Sequence, residues 1–252
     1  MADSLTVAGA CGVMTTQTGG LSIAASLGGD GELGGGLNLG LNTVDKPAIV
    51  YQNRHLVAAQ IARPIQWLHQ VHGTCVRVVD VVADSGVGAQ DPVADAAVTV
   101  NPDIALGILT ADCLPVLLAA PGIVGVAHAG WRGLAAGVIE ATVAGMQSCG
   151  AQPEMIRAWL GPVIGAQRFE VGQDVFDRFC GHDELAVRHF RQLPTAGKWL
   201  ADLPGLARLG LNKLGINEVS GGHWCTMSDS RFFSYRADPH CGRMAGIVWI
   251  AG

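Results

Sequence analysis

The sequence predicts a mixed α/β fold in which layered sheets are flanked by helices. About half of the 252 residues are hydrophobic and only 15% are charged, so the chain can bury a large core. Short segments rich in β-branched residues are typical of strands, and segments of helical periodicity lie between them. The two kinds of segment do not alternate strictly, which favours mixed sheets over a parallel βαβ arrangement. We find no internal repeat or domain boundary and expect one domain over residues 1–252.

Two helical segments and one hairpin are the clearest predicted elements. Residues 45–62 have apolar residues at helical spacing, with Asp45 in position to cap the helix and a proline in its first turn. Residues 133–150 show the same periodicity and end at a glycine. Residues 113–120 and 123–129 are nearly continuous apolar runs across a Pro-Gly turn, which predicts a buried hairpin.

The remaining elements are shorter. Residues 65–82 predict two strands, or one strand bent at Gly73, and the glycine-rich segment 19–40 predicts short strands or turns. Further helices are expected at 171–181 and at 202–214, the second opened by Asp202. Further strands are expected at 95–100, 104–109, 154–161, 232–236 and 245–250.

Composition excludes several classes of protein. The net charge of −5 leaves no basic face for a nucleic acid. The seven cysteines are widely spaced and contain no C-x-x-C pair, which argues against a disulfide framework or a zinc ribbon and favours a reducing compartment. The N-terminus lacks the basic region of a secretory signal, and no apolar run reaches the ~18 residues of a membrane span. We therefore expect a soluble cytoplasmic protein.

Four residues are candidates for a reactive site. Cys113 and His128 lie at the two ends of the predicted hairpin, although a free cysteine is more often a small buried hydrophobe and a histidine on an apolar strand is more often a satisfied core residue. His69 and His72 differ by three positions, so on a strand they would face opposite sides and only one could join a shared site. The spacing alone leaves that choice open.

Two imidazoles and one thiol from three strand ends would resemble a catalytic zinc site, which has three protein ligands and an open position. The same residues could instead form a Cys–His nucleophilic site without metal, and they match the ligand count of a blue-copper centre. The Gly-Trp-Arg-Gly corner predicts an anion site beside Arg132, where Trp131 would stack on a ligand or simply pack. The acidic candidates Asp95, Asp112 and Glu170 have no partner visible in the sequence.

Ten segments, in this order, resemble the YfiH-type family, whose members have been called laccase-domain or polyphenol oxidase proteins, purine nucleoside phosphorylases and peptidoglycan editing factors. The similarity covers residues from about 18 to the C-terminus. The segments are LNLG, NRHLV, QVHG, ADAAVT, TADCLPVLL, HAGWRGL, GPVIG, FEVG, FFSYR and GRMAGIVWI.

The resemblance implies a single α/β domain related in architecture to a toxin with a Cys–His deamidase site. It implies a metal site, usually described with zinc, formed here by His72, Cys113 and His128, which resolves the choice between the two histidines. It implies a zinc-dependent purine nucleoside phosphorylase acting on adenosine, inosine and methylthioadenosine, with adenosine deaminase activity. On that basis we expect Arg132 to join the catalytic residues, and Asn38, Trp131, Phe233 and Arg236 to contact the nucleoside.

Three other functions remain open. One is an amidase that uses the same Cys–His–His set to remove a wrong L-serine from the UDP-muramoyl precursor of peptidoglycan. Another is a copper-dependent, laccase-like oxidase, since Cu²⁺ outcompetes Zn²⁺ at most nitrogen and sulfur sites, although eight histidines without an H-x-H pair are few for a multicopper enzyme. The last is a metal-binding protein without catalytic activity.

The chain departs from the family pattern at several positions. Asn42 stands where the family commonly has histidine, Arg236 is followed by Ala237 rather than by a second arginine, and Cys241 replaces a threonine. The glycine-rich loop 28–36 replaces a shorter segment. None of these changes touches the predicted ligands, but Asn42 and the loop are expected to affect the choice of substrate.

Overall fold

The computed structural model describes residues 2–7, 9–23, 34–83, 90–181 and 183–251. The helices are α1 (Pro47–Ile61), α2 (Trp131–Ala136), α3 (Val138–Ser148), α4 (Gln173–Cys180) and α5 (Leu203–Lys213). The strands are β1 (Ala2–Val7), β2 (Ala10–Met14), β3 (Thr18–Ile23), β4 (Gly34–Gly36), β5 (Ile65–Gln66), β6 (Val76–Val78), β7 (Ala96–Thr99), β8 (Ala105–Thr110), β9 (Leu114–Ala120), β10 (Ile123–Ala129), β11 (Arg157–Leu160), β12 (Glu170–Gly172), β13 (Phe190–Gln192), β14 (Lys198–Ala201), β15 (Val219–Gly221) and β16 (Met244–Ile250).

Two mixed sheets form the centre of the molecule. One has five strands in the order β1-β2-β16-β8-β5, and the other has six in the order β15-β11-β9-β10-β7-β6. A three-stranded sheet, β12-β14-β13, and the pair β3-β4 complete the described strands. Helices and strands are thus mixed without a repeating βαβ unit, which confirms the predicted fold class.

The two large sheets pack face to face, and helices cover their outer faces. One apolar cluster joins Leu106 and Val248 of the five-stranded sheet to Leu117 and Val126 of the six-stranded sheet. A second cluster places α3 and α5 against the other face of the six-stranded sheet. A third places α1 against the five-stranded sheet. The order of layers is therefore helix, sheet, sheet, helix.

This layering explains the continuous apolar runs of the predicted hairpin. β9 and β10 pair in antiparallel register from Ile123 opposite Ala120 to Ala129 opposite Leu114, and both strands are buried throughout. Alternate residues enter different clusters: Leu118 packs toward the helices and Leu117 toward the other sheet. Because both faces are covered, polar alternation is absent. The hairpin prediction is confirmed.

Three local predictions are wrong in detail. Residues 133–150 do not form one helix, because Gly137 adopts φ +93° and separates α2 from α3. Residues 232–236 form turns rather than a strand. Asp45 does not cap α1, whose N-cap is Lys46, but accepts hydrogen bonds from the Ser22 hydroxyl and the Lys46 backbone N–H.

The other predicted elements are present, and most of them are shorter than expected. Residues 65–82 contain two strands, β5 and β6, separated by the loop that carries Gly73, and Asp202 caps α5 by accepting from the Gly205 N–H. The segment 19–40 contains β3 and β4 at its ends, and its residues 24–33 lie outside the described part of the chain. Within the described residues, no helix is both long and apolar enough to cross a membrane.

Candidate metal centre and active site

Two loops and one strand bring together His72, Cys113 and His128. Cys113 directly precedes β9, and His128 in β10 lies opposite Pro115 of β9, so the hairpin places both at the same end. His72 lies in the loop between β5 and β6. One potential ligand atom from each of these residues lies within 4.8 Å of the other two. The fold therefore gathers the three predicted ligands from positions up to 56 residues apart.

The Asp95 carboxylate connects two of these residues. Asp95 is fully buried immediately before β7, and the antiparallel pairing of Ala96 with Ala127 places it beside His128. Its Oδ1 lies 2.9 Å from His128 Nδ1 and accepts the His72 backbone N–H at 2.9 Å. Its Oδ2 accepts the N–H groups of Val71 at 3.1 Å and Gly73 at 2.7 Å.

The charges around His128 favour its protonated form when no metal is bound. Burial of the ring lowers its pKa, but the neighbouring Cys113 sulfur and the hydrogen bond to Asp95 outweigh burial and raise the pKa to about 9. Burial raises the pKa of Asp95, but the hydrogen bonds from His128 and from the backbone N–H groups of Gly73 and Val71 outweigh burial. The pKa of Asp95 therefore lies below its ordinary value. A thiol, an imidazole and a carboxylate therefore form a connected chain.

His72 is in a different electrostatic environment. Its pKa lies below the ordinary value, first because the ring is partly desolvated and second because His128 carries a like charge nearby. Its ring meets that of His128 edge to face, with centroids 4.8 Å apart. The His72 backbone has φ +61°, which is uncommon for a non-glycine residue. A neutral imidazole at this position has a nitrogen lone pair available for a metal or a proton.

Asp112 holds the loop that carries Cys113. Its backbone has φ +85°, and its side chain is buried. Asp112 Oδ1 accepts the Thr226 hydroxyl at 2.6 Å, and Oδ2 accepts the Arg236 backbone N–H at 2.6 Å. The Asp112 carbonyl oxygen accepts the Ile164 N–H at 3.0 Å. Three distant segments thus fix the residue before the thiol.

Gly130 leaves space for the side chains of His72 and Cys113. A Cβ at Gly130 would lie 2.7 Å from His72 Nδ1 and 3.0 Å from Cys113 Sγ. Gly133, in α2, has a related role, because a Cβ there would lie 2.9 Å from the Gly73 carbonyl oxygen. The two glycines let α2 approach the His72 loop closely.

The cluster opens into a cavity of about 940 Å³. Its wall combines apolar side chains with several cationic ones, although the protein as a whole has a net charge of −5. Lining residues with polar, charged or aromatic side chains, besides the three cluster residues, are Asn42, Arg54, His69, Gln70, Gln90, Asp91, Thr110, Asp112, Trp131, Arg132, Phe169, Tyr235, Arg236 and Arg243.

The arginines that line the cavity differ in the contacts of their side chains. Arg54 forms a buried ion pair with Asp91 at 3.0 Å. Arg236 donates to the Glu170 carbonyl oxygen, and Arg243 donates to the carbonyl oxygens of Cys241 and Gly242. The Arg132 guanidinium is exposed and lies over the Trp131 ring, 4.4 Å from its centroid. Arg132 and Arg236 are both exposed, but the contact of Arg132 is with an aromatic ring whereas Arg236 donates to a carbonyl oxygen.

The predicted substrate-contacting residues fall into two groups. Trp131 and Arg236 line the cavity, as does Arg132. Asn38 is fully buried behind the wall, where its side-chain oxygen accepts the N–H groups of Gly40 and Arg243. Phe233 is also buried and lines a separate cavity of about 320 Å³. Neither Asn38 nor Phe233 is among the residues that line the larger cavity, and their contact with a nucleoside stays a prediction.

Several features of this site were not predicted from the sequence. His69 lines the same cavity as His72, because residues 70–74 form a loop rather than a strand and the alternation argument does not apply. The role of Asp95 follows from the pairing of β7 with β10, which the sequence does not specify. Asn42, one of the departures from the family pattern, does line the cavity.

The donor set fits a metal ion. Two imidazoles and a thiolate are ligands that zinc and copper accept, and three protein ligands leave a coordination position for substrate or water. The carboxylate on His128 Nδ1 is the partner that metal-ligating histidines commonly have. The cluster at the base of the cavity is thus a candidate metal centre formed by His72, Cys113 and His128.

Comparison with known proteins identifies the family. A family model described as multi-copper polyphenol oxidoreductase laccase matches residues 12–251. A purine nucleoside phosphorylase of Xylella fastidiosa is 46% identical over 213 residues, covering 82% of this chain and 80% of the relative. The purine nucleoside phosphorylase YfiH of Escherichia coli is 43% identical over 220 residues, covering 85% and 86%. One from Pseudomonas aeruginosa is 40% identical over 240 residues, covering 94% and 92%.

Solved structures of similar proteins have the same fold as this chain. The crystal structure of a Neisseria meningitidis protein of the family DUF152 superimposes with a TM-score of 0.87 at 41% identity, covering 100% of this chain and 98% of that one. The YfiH protein of Bacillus licheniformis superimposes with a TM-score of 0.86 at 28% identity, covering 96% and 92%. The chain therefore belongs to the YfiH-type, laccase-like family, as its sequence motifs predicted.

Proposed function

We propose that the protein is a zinc-dependent purine nucleoside phosphorylase acting on adenosine, inosine and methylthioadenosine, with adenosine deaminase as a second activity. The observation that carries the proposal is the His72–Cys113–His128 cluster at the base of a cavity whose wall presents Arg132. Relatives with 40–46% identity over most of the chain bear the name purine nucleoside phosphorylase, which supports the phosphorylase activity in this proposal.

Phosphorolysis requires a site for phosphate beside a site for the nucleoside. An oxygen of phosphate attacks C1′ of the ribose, the bond from C1′ to the base nitrogen breaks, and the base leaves with the proton that the phosphate gives up. The exposed Arg132 guanidinium is suited to hold the phosphate dianion through charge-assisted hydrogen bonds. Trp131 and Tyr235 offer aromatic surfaces in the same wall on which the base can stack.

The cluster would hold zinc through His72, Cys113 and His128. When bound, zinc supplies Lewis-acid polarisation of an oxygen of substrate or water. His72 has a lowered pKa and so reaches the site as a neutral imidazole near pH 7. Asp95 holds the proton at Nδ1 of His128, which leaves the other ring nitrogen as the reactive one. In deamination, addition of water at C6 and loss of ammonia need this control of protons at the same place.

Chromatography of adenosine and inosine incubated with the zinc-loaded protein, with and without phosphate, tests the proposal. Release of free base that depends on phosphate would support phosphorolysis, and conversion of adenosine to inosine without phosphate would support deamination. Both activities should disappear in Cys113→Ala. The matched control is Cys11→Ala, which removes a half-buried thiol from β2 in the other sheet and should retain activity. Absence of turnover of either nucleoside by the zinc-loaded protein would contradict the proposal.

Arg132→Ala is expected to raise the KM for phosphate about 10-fold or more, because a charge-assisted hydrogen bond contributes about 1.5–3 kcal/mol. The KM for the nucleoside should change much less. Initial rates at varied phosphate and fixed inosine measure this effect. Arg178→Ala removes an exposed arginine from α4 and serves as the control for the change in net charge. An equal rise in both KM values would place Arg132 outside the phosphate site.

One observation favours a second function. Cys113, His128 and Asp95 form a thiol–imidazole–carboxylate chain of the kind that activates a cysteine nucleophile. This arrangement suits an amidase acting on the L-serine form of the UDP-muramoyl precursor. Release of L-serine by metal-free protein, combined with absence of nucleoside turnover, would favour the amidase. A requirement for zinc in nucleoside turnover would favour the phosphorylase.

A further inference from the structure

We propose that Asp95 is a positioning residue for the metal centre and that its one carboxylate sets both the ring state of His128 and the placement of His72. The inference rests on the zinc site of the proposed function and extends it to a residue that does not itself bind the metal. Its basis is the position of the carboxylate, which is fully buried and has contacts to both histidines.

Asp95 determines which ring nitrogen of His128 carries the proton. Asp95 Oδ1 lies 2.9 Å from His128 Nδ1, and a carboxylate can only accept, so the proton of the neutral ring lies on Nδ1. Nε2 then carries the lone pair, which a metal ligand requires. Without the carboxylate, the ring could carry its proton on Nε2 and would lose its ability to coordinate in this orientation.

Asp95 also holds the loop that carries His72. Three consecutive backbone N–H groups, from Val71, His72 and Gly73, donate to the same carboxylate. His72 adopts φ +61°, a conformation that a non-glycine residue keeps only when its surroundings hold it. The three hydrogen bonds supply that constraint and fix the direction in which the His72 side chain leaves the loop. Asp95 thus positions two ligands that are far apart in sequence.

The Asp95→Asn substitution separates this positioning role from simple space filling. Asp95 Oδ2 accepts two N–H groups, and Oδ1 accepts the N–H of His72 while bonding His128. An amide has one oxygen where a carboxylate has two. Its NH₂ group must therefore face either the N–H groups of Val71 and Gly73 or the N–H groups of His72 and His128. Either the loop loses the hydrogen bonds of Val71 and Gly73, or His128 must accept at Nδ1 and carry its proton on Nε2. Both alternatives disturb a ligand.

The test compares zinc affinity in wild-type protein, Asp95→Asn and the control Asp45→Asn, by competition with a chromophoric chelator. We expect a 10- to 100-fold weaker affinity in Asp95→Asn, the range typical of losing a partner of a metal ligand. Asp45 is also a buried, hydrogen-bonded carboxylate, which accepts from Ser22 and Lys46, and its variant should lose less than threefold. The visible spectrum of the cobalt-substituted Asp95→Asn protein should also shift, because the ligand geometry changes.

Two results would overturn the inference: a loss of less than 10-fold in Asp95→Asn, or an equal loss in Asp45→Asn. If Asp95→Asn does not fold, nitrogen–proton correlation spectra of histidine-labelled, zinc-loaded wild-type protein decide the question. The expected result is a proton on Nδ1 of His128, and a proton on Nε2 would contradict the inference. Wild-type protein that binds no zinc would instead refute the zinc site of the proposed function, so the two failures are distinguishable.

Discussion

Replacing Gly130 by alanine is expected to abolish tight metal binding while leaving the protein folded. Gly130 has φ −60° and ψ 154°, which any residue adopts, so alanine introduces no backbone strain. Its Cβ, however, would lie 2.7 Å from His72 Nδ1 and 3.0 Å from Cys113 Sγ, closer than these atoms tolerate. At least one ligand must move, and the loss of zinc affinity should exceed the roughly 10–100-fold caused by losing an outer partner.

Zinc content after gel filtration and circular dichroism of the same sample measure this effect. Gly210→Ala is the matched control, because it adds the same methyl group in α5, where the nearest atom is Glu140 Oε1 at an ordinary 3.5 Å. The control should bind zinc as wild type does. A Gly130→Ala protein with one zinc at wild-type affinity would show that the ligands do not converge where the structure places them.

The hairpin that carries the site was predictable because its information is local. Residues 114–120 and 123–129 are apolar throughout, and a Pro-Gly pair between them marks the turn, where Gly122 adopts φ +72°. The position of Cys113 and His128 at one end of that hairpin follows directly from the antiparallel register. Two of the three ligands could thus be brought together from the chain alone.

The third ligand could not be derived in this way. Strand alternation predicts that only one of His69 and His72 joins the site, but His72 lies in a loop with positive φ and both side chains reach the cavity. Family motifs selected His72, whereas periodicity could not. Backbone conformations of this kind depend on a distant group, here the Asp95 carboxylate 23 residues away, and leave little trace in local sequence.

Distant contacts and backbone freedom also account for the wrong predictions at 133–150 and 232–236. Helical periodicity continues across Gly137, but a glycine can adopt φ +93° and start a new helix in another direction. Residues 232–236 have strand-like composition, yet the Arg236 N–H is used by Asp112, 124 residues away, rather than by a neighbouring strand. Composition predicts that a residue is buried more reliably than it predicts which other segment of the chain packs against that residue.

Asp112→Ala is expected to lower the free energy of unfolding of the metal-free protein by about 3–6 kcal/mol. The carboxylate accepts from the Thr226 hydroxyl and from the Arg236 N–H, and each hydrogen bond to a charged group contributes about 1.5–3 kcal/mol. Both donors would be left without this partner in a largely buried environment. Such a loss is a large fraction of the roughly 5–15 kcal/mol that stabilises a typical domain.

Urea unfolding followed by tryptophan fluorescence measures this change, with the slope of the transition checked for constancy. Asp103→Ala removes an exposed carboxylate and should change the unfolding free energy by less than about 0.5 kcal/mol. Asp112→Asn should lie between wild type and Asp112→Ala, because its amide oxygen can still accept one hydrogen bond. A loss below about 1 kcal/mol in Asp112→Ala would mean that the loop before Cys113 is held by the Ile164 backbone contact instead, and the thiol would then owe its position to main-chain pairing rather than to this carboxylate.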